Sequence, residues 1–514
     1  MFTSSQLQQL SDRGISLEQV SRQLEIFKKG IAPVKLVRPA IPDDGIEIFD
    51  QKKIDFYASL FQKEKDRISI VKFVPASGAA SRMFKQLFEA LSEFIGTPGD
   101  YSKTLSKMPD VLGFFKDLRN YSFFDDLAVQ CKINGFDLES LLETGKYDEI
   151  LDLFLSGRGL AYGELPKGLL KFHKYTGESR TAFEEHFVEA AMFLKDKNNH
   201  VKLHFTVSPE HRKLFESLAD KLINKYLERD KIHFDVEFSV QKPSTDTLAA
   251  DMENKPFTQE RDMLLFRPGG HGALLDNMQD LKEIIVFVGN IDNVAPDRTK
   301  GLRVRYKELL AGILVERVKL IHEFLVQIEK GFSQESKKEI VDFIKTYISA
   351  SSARELSNLM DNEFVKLANS ILNRPVRVCG MVKNVGEQGG GPFWISDKSG
   401  NISKQVIESS QVNLNDPEQD KIFRDATHFN PVDMVCYTCN YKGEKFRLED
   451  YRDPDMAFIA IKSQGGSSLK ALELPGLWNG SMAGWLTFFV DVPEATFSPV
   501  KTIFDLLRSE HLPG

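Results

Sequence analysis

The chain has 514 residues, of which 42% are hydrophobic and 27% charged, and its formal net charge is −7. That length exceeds what one hydrophobic core organises, so two or three domains are expected, and the negative total argues against a general nucleic-acid binder. No run reaches the roughly 18–20 apolar residues of a membrane span. The start, MFTSSQLQQLSDRG, has neither the basic nor the apolar region of a signal peptide, and four cysteines in a chain this long suit a reducing, cytoplasmic setting.

The first predicted helix opens with a capping box, Ser16-Leu17-Glu18-Gln19. Its apolar stripe, Leu17, Val20, Leu24 and Phe27, ends at Gly30. VRPAIPDD is then a proline-broken linker, and residues 55–65 read as another helix. An apolar strand over 68–74 ends at Pro75. Small residues follow, then Arg82 and Lys85, with helical spacing at Met83, Leu87, Phe88 and Leu91. A strand, a small-residue turn and a helix present backbone N–H groups to an anion. Ala76, Ser77, Gly78, Ala79, Ala80 and Ser81 let the main chain close on it, Gly78 is free to take positive φ, and Arg82 and Lys85 add cations. That combination suits a polyphosphate; a tight structural turn is the plain alternative.

Residues 101–155 read as helical and rich in Phe and Leu. Helices over 179–196 and 209–227, the latter with Pro209 in its first turn, alternate with strands over 201–208, 233–241 and 283–292. This rhythm predicts an α/β fold of three layers with a largely parallel sheet. Residues 303–372 are helical, and beyond 373 short strands with Gly-rich turns complete or flank the sheet. The expected division is a helical N-terminal segment (1–65), an α/β part (66–302), a helical insertion (303–372) and a β-rich part (373–514).

Four further stretches carry chemistry. In LPKGLLKFH, Pro166 and Gly168 flank Lys167 and suggest a lysine aimed into a cleft. In FRPGGHGALLDNM, Gly269, Gly270 and Gly272 surround His271; such a loop lies against a flat base or ribose, and His271 suits positioning better than catalysis. In VFVGNIDNVAPD a buried strand ends before Asp292-Asn293, where a carboxylate is well placed to hold Mg²⁺ against phosphate oxygens; an Asp-Asn turn is the alternative. ATFSPVKTIFDLLR repeats the Pro-Lys device at Lys501, followed by a helix from Thr502. In LELPGLWNGSMAGW, Trp478 and Asn479 suit a polyol pocket or equally a packed turn. His173 and His186 read as structural. Cys436 and Cys439 form a CxxC, which fits alternating strand residues better than a redox or zinc pair.

Taken in order, these stretches resemble the UDP-sugar pyrophosphorylases among the sugar nucleotidyltransferases. PASGAASRM (75–83) is similar to that group's Leu-x-Gly-Gly-x-Gly-Thr-Arg-Leu/Met signature, with Ser77 and Ala80 in place of two glycines. Pro166-Lys167-Gly168, Pro268–Gly272 (with Ala273 where Asp is usual), Asp292-Asn293, Phe238–Gln241, Glu408–Gln411 and FSPVKTIFDLL (497–507) match further elements. The chain as a whole resembles the DUF4301 group, a name that states no activity.

The resemblance implies a Rossmann-like, GT-A-like fold with a mixed sheet. It also implies an Mg²⁺-dependent reaction of a nucleoside triphosphate, UTP by expectation, with a sugar 1-phosphate, giving NDP-sugar and pyrophosphate. On that reading 66–302 binds the nucleotide and 373–514 completes the sugar-phosphate site. Arg82, Lys167 and Lys501 are catalytic. Ala76–Ser81, Lys85, Gln241, Gly269, Gly270 and His271 bind the nucleotide. Asn293, Glu408 and Asn479 face the sugar, and Asp292 with Asp491 holds the metal. The altered glycines leave a catalytically inactive nucleotide-sugar binder as the alternative. The helical segments dock on the core or make a homodimer contact, and neither nucleic acid nor membrane is expected as a partner.

Overall fold

The structure is a computed structural model that describes residues 2–96, 101–259, 262–386, 389–464 and 466–512. The chain divides into two compact units. One comprises Met1–Val71, Ser239–Val288 and Tyr306–Glu494, and the other Lys72–Phe238, Gly289–Arg305 and Ala495–Gly514. Both are mixed α/β, as the strand–helix rhythm predicts. Among the described residues no helix is long and apolar enough to cross a membrane.

The first unit holds six hydrogen-bonded strands in the order Ile41–Pro42, Gly45–Glu47, Leu486–Asp491, Val376–Lys383, His428–Tyr437 and Ile285–Val288. The first four run parallel to one another, and His428–Tyr437 is antiparallel to both of its neighbours. Val378 lies opposite Phe488 on one side and Val435 on the other, so the centre is apolar on adjacent strands. The β-rich residues after 373 therefore share a sheet with Ile285–Val288. A separate three-stranded antiparallel sheet, Lys35–Pro39, Gly390–Ser396 and Ile402–Glu408, encloses Leu36, Phe393, Ile395 and Ile407. The N-terminal helices Ser4–Arg13 and Leu17–Lys29 pack Leu10 and Val20 on Leu248 and Leu264. The capping box at Ser16 forms as expected, with Gln19 N–H donating to Ser16 Oγ, and the helix ends at Gly30 with φ 73°.

The second unit holds three strands in the order Ile70–Pro75, His200–Thr206 and His233–Ser239, the first two parallel. Helices Ala182–Phe193 and Arg212–Asp230 connect them. The stretch over 101–155 is helical but broken into short pieces, because Pro109 starts one and Gly135 and Gly145 take φ of 83° and 67° after others. Its Phe-rich interior buries Phe84, Phe94, Phe114, Phe123 and Phe154. Three predicted boundaries shift. Residues Glu178–Thr181 are a strand, and the helix waits for the Thr181 cap. Pro209 lies before its helix rather than within it, and Ile503–Leu507 is a short 3-10 turn.

One buried cation stands out in the first unit. Lys404 is 7% exposed, its ammonium lies 5.7, 5.6 and 6.0 Å from the ring centres of Trp394, Phe488 and Phe489, and it forms no ion pair among the described residues. Burial pushes its pKa down to about 8. Between that pH and the ordinary lysine value the unfolded chain holds the extra proton. Stability therefore rises with pH through this window, by about 3 kcal/mol in total. Lys404→Met is expected to flatten that rise, which urea unfolding of both proteins at pH 7.5 and 10 measures directly.

Candidate functional site

Four of the singled-out stretches meet in the second unit. Strand Ile70–Pro75 delivers the chain to Ala76, whose N–H donates to the Thr206 carbonyl at 2.7 Å. The loop then runs beside the Pro-Lys-Gly element: Lys167 N–H donates to the Gly78 carbonyl and Ala80 N–H to the Leu165 carbonyl, both at 3.3 Å. Ser77, Gly78, Ala79, Ser81 and Arg82 are exposed, whereas Ala80 is fully buried in the Phe-rich core. The loop departs from expectation twice. Gly78 does not use positive φ, and a Cβ there would meet nothing within 4 Å. Residues 81–84 form turns, and the helix starts only at Lys85, whose ammonium sits 3.7 Å from Glu89. The exposed residues thus lie on a loop and its turns rather than at a helix N-terminus, and Arg82 makes no ion pair among the described residues.

Lys167 is the centre of the cluster. Its Nζ donates to Asp292 Oδ2 and to the Val500 carbonyl, each at 2.7 Å, and its side chain is 15% exposed. Val500 N–H returns to the Asp292 carbonyl at 3.0 Å, and Asn293 pairs with Pro499. Gly168 is required by packing, since a Cβ would lie 2.9 Å from Phe215. The Pro-Lys element and the Asp-Asn turn therefore meet the segment bearing Lys501. Asn293 spends its side-chain oxygen on Ser498 N–H at 3.1 Å and is 7% exposed, so its side chain fastens that segment. Lys501 is exposed, with its own N–H held by Asp505.

Beneath this cluster lies a buried ionic network that the sequence reading missed. Glu185 is fully buried; Oε1 accepts from His173 Nδ1 at 2.9 Å and Tyr175 Oη at 2.8 Å, and Oε2 accepts from Lys300 at 2.5 Å. Burial alone would raise Glu185, but the His173 hydrogen bond and the Lys300 charge outweigh it and hold the carboxyl below its ordinary range. His173 Nε2 shares a hydrogen bond with His511 Nδ1 at 3.1 Å, and burial drives His511 down to about 3. From the same surroundings, His186 Nε2 donates to the Ile291 carbonyl at 3.3 Å, and Arg303 donates to the Asn293 carbonyl at 3.1 Å and to Ser498 Oγ. The turn carrying Asp292 is gripped from both sides. Glu184-Glu185-His186 inside an otherwise apolar helical stripe was the available signal.

In the first unit, Gly270 has φ 75° and precedes His271, whose Nδ1 accepts from Leu477 N–H at 3.0 Å and whose ring lies 4.9 Å from that of Trp478. Asn479 Nδ2 donates to Glu408 Oε1 at 3.2 Å and Gln411 Oε1 at 3.3 Å, and Glu408 lies 4.0 Å from His271 Nε2. Burial, then the charge of Glu473, raises Glu408. Buried Arg377 donates to the Trp478 carbonyl at 2.6 Å and fixes this corner. Gly269 is packed against the Thr245 carbonyl, leaving no room for a Cβ. Gln241 is half-buried one residue beyond Val240, whose carbonyl accepts from Asn277 at 2.8 Å. So His271, Glu408 and Asn479 form one group, and Asn479, 3% exposed, spends its amide on it.

Asp491, also in the first unit, accepts from His428 Nε2 at 2.9 Å. The expected metal pair thus falls in different units. Among the described residues no group of three His, Cys, Asp or Glu suits a metal ion. The single Asp292 carboxylate, 25% exposed, fits Mg²⁺ only as an ion whose other ligands are phosphate oxygens and water. Cys436 and Cys439 are buried free thiols, Cys436 within a strand, and burial raises both.

A family model described as "Domain of unknown function (DUF4301)" matches residues 3–512. No curated protein matches the sequence. Among solved structures, the uridine diphosphate N-acetylglucosamine pyrophosphorylase of Trypanosoma brucei shares 13% identity at a TM-score of 0.48, covering 96% of this chain and 73% of its own. A UDP-glucose pyrophosphorylase mutant from Leishmania major, in complex with UDP-glucose, shares 11% at 0.42, covering 99% and 79%. At these values neither likeness carries over activity, substrate or site.

Removing the negative charge at the heart of the ionic network takes the fully buried partner from Lys300, His173 and Tyr175 and leaves Lys300 only the half-exposed Asp297 carboxylate. Glu185→Gln is expected to destabilise the protein by about 3–5 kcal/mol in urea unfolding; a loss under 1 kcal/mol contradicts the role given to Glu185.

Proposed function

We propose that this chain, which belongs to the DUF4301 family, is a sugar-1-phosphate nucleotidyltransferase. The observation carrying this reading is the Lys167 ammonium, bound at once to Asp292 and to the main chain of the Lys501 segment, beside a loop with exposed amides. Residues scattered from 76 to 501 come together there without any nucleophile–base pair. Nucleotidyl transfer asks for that kind of site, because it needs alignment and charge cancellation more than covalent help.

On this reading the main chain of Ser77, Gly78, Ala79, Ser81 and Arg82, with the Arg82 guanidinium, which makes no ion pair among the described residues, holds the β- and γ-phosphates. Lys167 exchanges Asp292 for a phosphate oxygen, and Lys501 stands at the α-phosphate. Asp292, released from Lys167, would hold Mg²⁺, which when bound supplies charge neutralisation across the phosphate oxygens. The sugar phosphate attacks the α-phosphorus in line and pyrophosphate leaves. Ala80 does not impair the loop, because its methyl group points into the core and not toward the exposed face.

Pyrophosphate release from UTP, Mg²⁺ and a panel of sugar 1-phosphates tests this function. Lys167→Met is expected to lower kcat about 10²–10³-fold. Nucleotide-sugar binding without turnover would instead identify a binding protein. Gly78→Ala discriminates further: since a Cβ there touches no protein atom, Tm should hold within about 2 °C while nucleotide affinity falls in titration calorimetry.

A further inference from the structure

A cavity of about 700 Å³ in the first unit lies apart from every residue discussed above as a candidate ligand contact. Its walls are Ile68, Ile284, Ile285, Val315, Val318 and Val326. On the long helix Asp297–Lys330, positions 315, 318, 322 and 326 are spaced as one face, and Lys319 and Glu323 border it. The opposite faces of this helix stretch are filled by Leu314, Arg317, Ile321 and Leu325, all buried. An apolar wall of buried and half-buried side chains, around a volume typical of small-molecule sites, is a place for a ligand with an apolar body.

The polar rim decides the rest of its chemistry. Lys319 is exposed and makes no ion pair among the described residues. Arg67, 77% exposed, has only a 3.5 Å contact with Glu64 on its own side of the chain. His322 packs edge-on against Tyr437 and is kept neutral by burial, which lowers its pKa. Among the described lining residues Glu323 is the one carboxylate, beside the two cations Lys319 and Arg67, of which Arg67 is shared with Glu64.

We infer that this cavity binds an amphiphilic monoanion, an aliphatic or aromatic carboxylate whose tail lies on the Ile–Val wall and whose head meets Lys319 and Arg67. The site is independent of the nucleotidyl-transfer reading.

Titration calorimetry of the full-length protein with decanoate and with decanol tests it. Decanoate should bind saturably at one site and about fivefold more tightly than decanol, the worth of one exposed ion pair. Val315→Trp should obstruct the Ile–Val wall and weaken binding of both. Lys319→Glu should remove the preference for decanoate without affecting Tm. Absence of saturable binding overturns the proposal, as does decanoate binding unchanged in Val315→Trp. A concentration-dependent dimer dispersed by Val315→Trp overturns it too, by making a second copy of the chain the occupant. If Val315→Trp fails to fold, Lys319→Glu decides alone, since a retained preference for decanoate removes the anion site.

Discussion

The second unit depends on one buried carboxylate. Glu185 cannot stay charged in an apolar interior unless its oxygens are fully engaged, and His173, Tyr175 and Lys300 engage them. The partners come from two separate parts of the chain, so compensating one charge fixes several segments at once. His173 and Tyr175 bring the hairpin Lys171–Tyr175 with Glu178–Thr181; Lys300 brings the start of the long helix; His511, through His173, brings the end of the described chain. The Asp292 turn lies among these fixed pieces, with Ile291 and Asn293 held by His186 and Arg303. The mobile-looking cluster of Lys167, Asp292 and Val500 therefore rests on a rigid floor.

This explains why the cluster needs so few side chains of its own. Lys167 and Asp292 satisfy each other and are part-buried, which keeps two opposite charges in a cleft at little cost. The first unit uses a different device. There buried Arg377, with no ion pair among the described residues, orients the Trp478 carbonyl, the Leu477 N–H sets the His271 ring, and the Glu408 and Gln411 side chains hold the Asn479 amide.

Much of this was legible in the residues. The strand before Pro75, the capping box at Ser16, the Pro-Lys-Gly element and the Asp-Asn turn all act through short-range geometry, which a sequence displays. The network around Glu185 was not legible, because its members are spread from 173 to 511 and each alone reads as an ordinary core or surface residue. Asn293 misled for the same reason: its side chain resembles a ligand contact until Ser498 arrives to claim it. Gly78 misled in another way. Its freedom of conformation suggested positive φ, whereas the structure uses the missing side chain as open space.

The division of the second unit into three chain segments has a consequence for how it is made. Its strands lie far from the segment that carries Val500, Lys501 and His511 along the chain. Until that segment docks, Lys167 lacks one of its two acceptors, and His173 lacks its contact with His511. Local helices and hairpins can form early, but this unit closes only through slow, long-range docking.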